Sequence, residues 1–147
     1  MPRKTLGNMK LKTVIYMKIS TRGRYGLKAM VDIAANSKEG CVSLKSIAER
    51  TNLSESYLEQ LIAPLKKAGL LKSTRGVNGG YILGRNAENI SVGDILRVVE
   101  GPLELVECGG DSCGMSDCSC CTTKGVWAKL SDSVSETADN INLSELI

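Results

Sequence analysis

Residues 54–84 read SESYLEQLIAPLKKAGLLKSTRGVNGGYILG and contain two structural signals in succession. Four aliphatic residues in the first half repeat at helical spacing: Leu58, Leu61, Ile62 and Leu65. This spacing predicts an amphipathic helix that ends at Gly69. Two strand-like runs, 70–74 and 81–84, then flank the glycine-rich RGVNGG, whose glycines permit positive φ. The order predicts a β-hairpin directly after the helix.

The residues before this stretch predict a second, shorter helix. Ser43 is placed to cap a helix in SLKSIAERT, and TNLSES then forms a tight turn. Two helices joined by a short turn form a helix-turn-helix, which can place its second helix in the major groove of DNA. Plain helical hairpins share that pattern, so the basic hairpin that follows is what favours a winged helix-turn-helix. Pro64 lies inside the second helix, where we expect a kink or weakened hydrogen bonds.

Further helices on both sides make the predicted fold class mainly α. The helix in TRGRYGLKAMVDIAANS has an apolar stripe: Leu27, Met30, Val31 and Ala34. The helix in ISVGDILRVVEG is predicted to begin with a capping box formed by Ser91 and Asp94.

A long C-terminal helix is predicted to join two subunits. Its apolar residues recur at spacings of four, four, four and three: Val126, Leu130, Val134, Ala138 and Ile141. Little of the chain is left to cover this stripe, so a second subunit is the natural place to bury it. We therefore expect a homodimer with a dimerisation helix and tail at 124–147.

The charge distribution indicates a polyanionic partner. Residues 1–76 carry 15 Lys and Arg against 5 Asp and Glu, a net charge of +10, whereas residues 77–147 carry 4 against 11, a net charge of −7. A basic half in a chain of this size is typical of nucleic-acid binding, although a solvated basic surface looks the same. No apolar run approaches the roughly 18–20 residues that a membrane span needs, so we expect a cytoplasmic protein with no membrane contact. The first 16 residues are expected to be a disordered extension, or to lie upstream of a start at Met17.

Five of the six cysteines lie in CGGDSCGMSDCSCC, residues 108–121, and the chain has no histidine. A disulfide framework is disfavoured because there is no secretion signal. Iron–sulfur ligation and structural zinc both remain, since thiolates suit either metal. A catalytic role is disfavoured, because the chain has neither a histidine base nor a cofactor motif, and we expect no enzyme activity. Cys41 stands apart and is interpreted as an inert thiol.

Three stretches together resemble the Rrf2 family of winged-helix regulators, whose members include IscR-, NsrR- and CymR-type proteins. They are KISTRGRYGLKAMVDIA, the segment from LKSIAER to YILG, and ISVGDILRVVEG. The resemblance runs from Met17 to the C-terminus, and SYLEQL followed by RGxxGGY is its most specific part. It implies a dimeric bacterial transcription regulator, in most cases a repressor, that binds a palindromic operator. The winged helix-turn-helix then spans 17–101 and a cysteine-rich loop spans 102–123.

The resemblance also implies a set of DNA-contacting residues: Ser54, Ser56, Tyr57, Glu59, Gln60, Arg75, Gly79 and Gly80. The chemistry agrees, because Gln can pair with adenine, hydroxyls reach bases or phosphates, and Arg75 at the hairpin tip can reach a phosphate or the minor groove. Glu59 has two interpretations. Its carboxylate could act as a specificity filter that accepts from cytosine, or it could complete a capping box with Ser56.

Resemblance to the IscR type implies an iron–sulfur cluster on Cys108, Cys113 and Cys121, and it favours 2Fe–2S over 4Fe–4S. Zinc is the runner-up, because intervals of four, four, one and zero residues suit two C-x-x-C knuckles poorly. IscR-type proteins have a histidine where this chain has Lys124. Cys118 or Cys120 is then expected to provide the fourth ligand.

Two other subtypes of the family suggest different ways of controlling DNA binding. NsrR-type proteins use an acidic residue near the start of the first helix, where this chain has Arg24. CymR-type proteins lack the cysteines and answer to a regulatory protein partner, so the cysteine loop argues against that type. The alternative function is a partner-controlled or thiol-based repressor with structural zinc or no metal.

Overall fold

The computed structural model describes residues 19–106 and 122–147. The predicted N-terminal extension lies outside the described residues. So do the predicted metal ligands: Cys108, Cys113, Cys118, Cys120 and Cys121.

The described residues form the predicted winged helix-turn-helix, mainly α with a small antiparallel sheet. Its main elements are α1 Thr21–Asn36, α2 Leu44–Thr51, α3 Glu55–Lys67, β1 Leu71–Thr74, β2 Gly80–Leu83, α4 Val92–Glu100 and α5 Lys124–Asp139. Short 3-10 turns cover Ala87–Asn89 and Leu143–Leu146. None of the described helices has the length and apolar content needed to cross a membrane.

Each of the first four helices begins with a serine N-cap: Ser20, Ser43, Ser54 and Ser91. In each case the hydroxyl oxygen accepts a hydrogen bond from the backbone N–H three residues later, which satisfies a donor that the helix leaves free. The predicted cap at Ser43 and the predicted capping box of Ser91 with Asp94 are both confirmed.

The buried face of α1 is rotated from the predicted stripe. Its buried residues are Gly23, Gly26, Ala29, Met30, Ile33 and Ala34, whereas Leu27 and Val31 are half-buried. The difference arises because two glycines let α4 approach closely: Gly26 lies against Val99, and Gly23 lies against Glu100. Apolar periodicity alone misses such a face, since glycine counts little toward it.

The main core lies between α1, the helix-turn-helix and α4. The four aliphatic residues predicted for the inner face of α3 are all buried there. Pro64 does not end α3, which continues to Lys67, and the Pro64 carbonyl accepts from the Ala68 amide at 2.9 Å.

The wing pairs Leu71–Thr74 with Gly80–Leu83, so that Leu71 faces Leu83 and Thr74 faces Gly80. Val42, two residues before α2, forms an isolated bridge with the second strand of the wing. The amide of Val42 donates to the Tyr81 carbonyl at 2.9 Å, and the amide of Tyr81 donates back at 2.8 Å. This bridge attaches the wing to the start of the helix-turn-helix.

The tail after α5 packs back into the main core. Leu143 is fully buried there, and its amide donates to the Ile90 carbonyl at 2.8 Å. Nearby, Asn142 forms a bridge with Ser91. Leu143 of this tail therefore belongs to the core of the winged helix, whereas the last two apolar residues, Leu146 and Ile147, are exposed.

Candidate nucleic-acid interface

The recognition helix α3 presents a polar face opposite its buried one. Ser56, Glu59 and Gln60 are exposed and share one face at helical spacing, while Ser54 caps the helix. This face offers hydroxyl, carboxylate and amide groups, which is the donor and acceptor repertoire of base recognition.

The capping-box interpretation of Glu59 is wrong. The N-cap of α3 is Ser54, whose hydroxyl oxygen accepts from the Tyr57 amide at 3.2 Å, so Ser56 lies inside the helix. The carboxylate of Glu59 is therefore not engaged in a cap with Ser56. Its predicted role in DNA specificity stays a prediction.

One polar face of α1 holds the helix-turn-helix in place. The rings of Tyr25 and Tyr57 meet edge to face, with centroids 6.1 Å apart and planes at 90°. One turn further along, the Lys28 ammonium donates to the Thr51 carbonyl at the end of α2, at 3.0 Å. A cation is favourable at this helix end, because the carbonyl dipoles leave it partly negative.

A bidentate ion pair extends the same face. The guanidinium of Arg50 donates to the two carboxylate oxygens of Asp32 at 2.8 and 2.9 Å. The hydrogen bond to Asp32 raises the pKa of Arg50 above its ordinary value. Sequence reasoning missed this set of contacts, although the i, i+3, i+7 spacing of Tyr25, Lys28 and Asp32 in α1 was a readable signal.

The wing exposes its tip and uses its glycines for shape. Arg75 is exposed at the tip, as is the whole of Val77. Gly76 has φ +118, which favours glycine, and a methyl group at Gly80 would overlap the carbonyl of Val42. The predicted DNA contact of Gly80 stays a prediction, but its conformational role is evident.

Gly79 shapes the same turn. Its amide donates to the Gly76 carbonyl at 3.0 Å, and a methyl group there would overlap the Thr74 carbonyl oxygen. Contact between Gly79 and DNA likewise stays a prediction.

The described residues before the cysteine segment lie against α5, and the residues after it begin that helix. The Leu105 amide donates to the Ser131 hydroxyl at 3.0 Å. Val106, the last described residue before the segment, lines a cleft of ≈ 520 Å³ together with Trp127 of α5. Lys124, which stands where IscR-type proteins have histidine, is the first residue of α5. Among residues 19–106 and 122–147, no group of three or more potential metal ligands comes together.

The outer face of α5 carries only part of the predicted apolar stripe. Val126, Leu130 and Val134 are 52%, 44% and 40% exposed. Ala138 is buried against α4, and Ile141 packs half-buried beside it. The last two positions are therefore used within the subunit, because the helix ends at Asp139 and the chain turns back to the core.

Comparison with known proteins decides the family. The model of the Rrf2 family, described as iron-dependent transcriptional regulators, matches residues 19–147. The chain belongs to the Rrf2 family. CymR of Bacillus subtilis (strain 168) is 48% identical to this Rrf2 protein over 130 residues, which cover 88% of this chain and 89% of the relative. The relatives are named transcriptional regulators of the helix-turn-helix type, so this chain is a DNA-binding regulator and not an enzyme.

Solved Rrf2 structures share the fold. The structure of B. subtilis CymR, described as the global cysteine regulator of that organism, has a TM-score of 0.74 at 47% identity and covers 88% of this chain and 95% of its own. IscR of T. potens has a TM-score of 0.73 at 50% identity, with coverage of 88% and 85%. The oxidized form of Staphylococcus aureus CymR has a TM-score of 0.68 at 47% identity, with coverage of 86% and 93%.

Similarity does not separate the IscR and CymR types for this chain, because the identities to the two are nearly equal. The expectation that the cysteine loop sets the chain apart from the CymR type stays a prediction.

Proposed function

We propose that this Rrf2 protein is a cytoplasmic, dimeric repressor whose operator binding is controlled by an iron–sulfur cluster. The observation that carries the proposal is the location of the cysteine segment. In the sequence it lies between α4, which ends at Glu100, and α5, against which Leu105 and Val106 pack. Five thiols in this segment stand between the DNA-binding unit and the proposed dimerisation helix.

The donor chemistry fits a cluster. Cysteine thiolates are the usual ligands of iron–sulfur centres, and this segment has five of them in fourteen residues. We assign Cys108, Cys113 and Cys121 as ligands, with Cys118 or Cys120 as the fourth. We favour 2Fe–2S. A cluster would supply a group whose oxidation state, or whose presence, responds to iron, redox state or nitric oxide.

The residues around the segment offer a route to the DNA-binding face. Glu100 ends α4, and one of its carboxylate oxygens accepts hydrogen bonds from the amides of Ser20 and Gly23 at 2.8 and 3.0 Å, and from the Ser20 hydroxyl. A shift of the residues after Glu100 would therefore also move the start of α1. This helix in turn contacts α3 through Tyr25. Coupling of about 1–3 kcal/mol is typical of such regulation.

DNA recognition follows from α3 and the wing. Gln60, Ser56 and Tyr57 are proposed to read a half-site in the major groove, with Arg75 on the backbone or in the minor groove. Two subunits would read a palindrome with half-sites about one helical turn apart. Arg75→Ala should weaken binding to every duplex, whereas Gln60→Ala should relax sequence preference.

Anaerobic purification tests the cluster directly. We expect a brown protein that contains iron and acid-labile sulfide, and single Ser substitutions at Cys108, Cys113 and Cys121 should each abolish the colour. Substitutions at Cys118 and Cys120 should have unequal effects, which would identify the fourth ligand. Cys41→Ser is the matched control and should keep the colour. One tightly bound zinc per chain, with no sulfide and no visible absorbance, would refute the proposal.

A second candidate is thiol control through Cys41. This half-buried free cysteine precedes Val42 of the wing bridge and shares a cleft with Val77 and Asn78 of the wing loop. An oxidized form of S. aureus CymR has been solved. In that case the protein is colourless, peroxide weakens its DNA binding, and Cys41→Ser abolishes the response. A peroxide response that survives Cys41→Ser argues against this candidate.

A further inference from the structure

Arg24 lies on the part of α1 that borders the start of the recognition helix. It stands four residues before Lys28, so the two side chains share one face of α1. Lys28 reaches the last carbonyl of α2, at the turn of the helix-turn-helix. The neighbour of Arg24 in sequence, Tyr25, contacts Tyr57 in the first turn of α3. Arg24 is therefore about one helical turn from groups that touch the entry to the recognition helix.

The guanidinium of Arg24 is unpaired within the described part of the chain and can therefore bind an anion. Its side chain is exposed, and no other group in residues 19–106 and 122–147 forms a hydrogen bond or an ion pair with its guanidinium. Two other cations on this side of the fold have structural partners: Lys28 bonds to Thr51 and Arg50 bonds to Asp32. Arg24 makes no comparable side-chain contact with the residues that the structure describes.

Two backbone amides at this end of α1 are already occupied. Glu100 accepts from the amides of Ser20 and Gly23, so the helix terminus does not offer them to an outside anion. An anion that approaches the start of α1 meets the exposed side chains of Arg22 and Arg24.

When a recognition helix lies in the major groove, the sugar–phosphate backbone passes beside its N-terminal end and beside the elements packed against it. We infer that Arg24 binds a DNA phosphate next to the recognition helix and extends the interface from the helix-turn-helix and wing onto α1. The inference rests on DNA binding through α3.

Phosphate contacts are independent of sequence, so a labelled duplex of arbitrary sequence is the probe, and the operator need not be known. Affinity is measured by fluorescence anisotropy across a salt series. Arg24→Gln should weaken binding and lower the slope of log affinity against log salt by about one per bound subunit. Arg24→Lys should keep the slope, because an ammonium also binds phosphate.

Arg85→Gln is the matched control. Arg85 is exposed, and it lines a groove with Ala34 and Ser37 at the opposite end of α1. Ten residues of helix separate Arg24 from Ala34, or about 15 Å. The slope should stay unchanged when the same charge is removed there, and both variants should unfold at the temperature of the unchanged chain.

Three results would contradict these expectations in different ways. An unchanged slope for Arg24→Gln overturns the inference and leaves DNA binding intact. An equal loss in Arg24→Gln and Arg85→Gln also overturns it, because that result reflects overall charge. Failure of the unchanged chain to bind any duplex overturns DNA binding by α3 itself.

Discussion

At the scale of single residues, one carboxylate joins two helices that are far apart in sequence. Glu100 at the end of α4 accepts three hydrogen bonds at the start of α1, from donors 77 and 80 residues away. Gly23 leaves room for this contact, because a methyl group there would overlap the Glu100 side chain and force it to move away. The Glu100 carboxylate takes the place of water as the acceptor for two amides that have no acceptor within α1.

Glu100→Ala should lower the free energy of unfolding by about 1–3 kcal/mol, because both amides lose a charged acceptor. Urea unfolding followed by circular dichroism measures the loss. Glu100→Gln should cost less, since its amide oxygen can still accept. Glu104→Ala is the control, because Glu104 is exposed beyond the helix. Equal stability of all four proteins would show that the contact contributes nothing.

Sequence patterns could predict the cap serines but not the partner of Glu100. A cap is local, so Ser43 and Ser91 could be placed from their own neighbours. The Glu100 contact depends on tertiary packing between α1 and α4, which no local pattern reports. The rotated face of α1 was missed for the same reason, since it follows from the close approach of Val99 to Gly26.

At the scale of elements, a backbone bridge connects the wing to Val42, two residues before α2. Strand signals and glycines predicted the hairpin to within one residue at each strand. The bridge between Val42 and Tyr81 was not predictable, because one extended residue has no periodicity to detect. The bridge fixes the wing relative to α2, and hence to the helix-turn-helix.

Gly80→Ala should break this arrangement. The added methyl group overlaps the Val42 carbonyl, and forced contacts of this kind typically cost about 1–3 kcal/mol. We expect a lower unfolding temperature together with weaker DNA binding. Val77→Ala is the control for stability, because Val77 is fully exposed at the same wing. Unfolding of Gly80→Ala at the temperature of the unchanged chain would contradict this account.

At the scale of the whole molecule, α5 has two faces with different tasks. Ser131 and Ala138 face the preceding segment and α4, while Val126, Leu130 and Val134 face outward. Periodicity found the stripe but could not tell which of its members the subunit itself buries. The candidate interface residues of α3 and the wing could be predicted, because each is recognised from its neighbours in the sequence. The contacts by which α1 holds the helix-turn-helix could be identified only from the fold.

Leu130→Asp should prevent dimer formation. It places an unpaired carboxylate in the middle of the exposed stripe, and burying such a charge costs several kcal/mol. Sedimentation velocity should show monomers, with operator binding lost. Ala128→Asp adds the same charge at an exposed position on the opposite side of α5 and should remain dimeric. An unchanged chain that is monomeric at micromolar concentration would refute the dimer.

Acid should loosen α5 from α4. The guanidinium of Arg97 donates to Asp139 at 2.6 and 2.8 Å, and this hydrogen bonding lowers the pKa of Asp139 below its ordinary value of 3.8. A lowered folded-state pKa stabilises the fold above the ordinary value, and this contribution is lost as pH falls through the lowered pKa.

Near neutral pH, Asp139→Asn should therefore unfold at a slightly lower temperature than the unchanged chain. The effect should be small and salt-dependent, because the pair is exposed. The difference in unfolding temperature should vanish well below pH ~4. A difference that persists in acid would mean that the pair is not its cause.

Completion of the core by Leu143 has a consequence for synthesis. Leu143, which completes the core of the winged helix, follows the cysteine segment in the chain, so the ribosome makes it later. Contacts between distant parts of a chain form only after both parts have been made. During synthesis the winged helix should therefore reach its final folded form only after the cysteine segment has left the ribosome. In every molecule the cysteine segment is therefore made before the winged helix can complete its core.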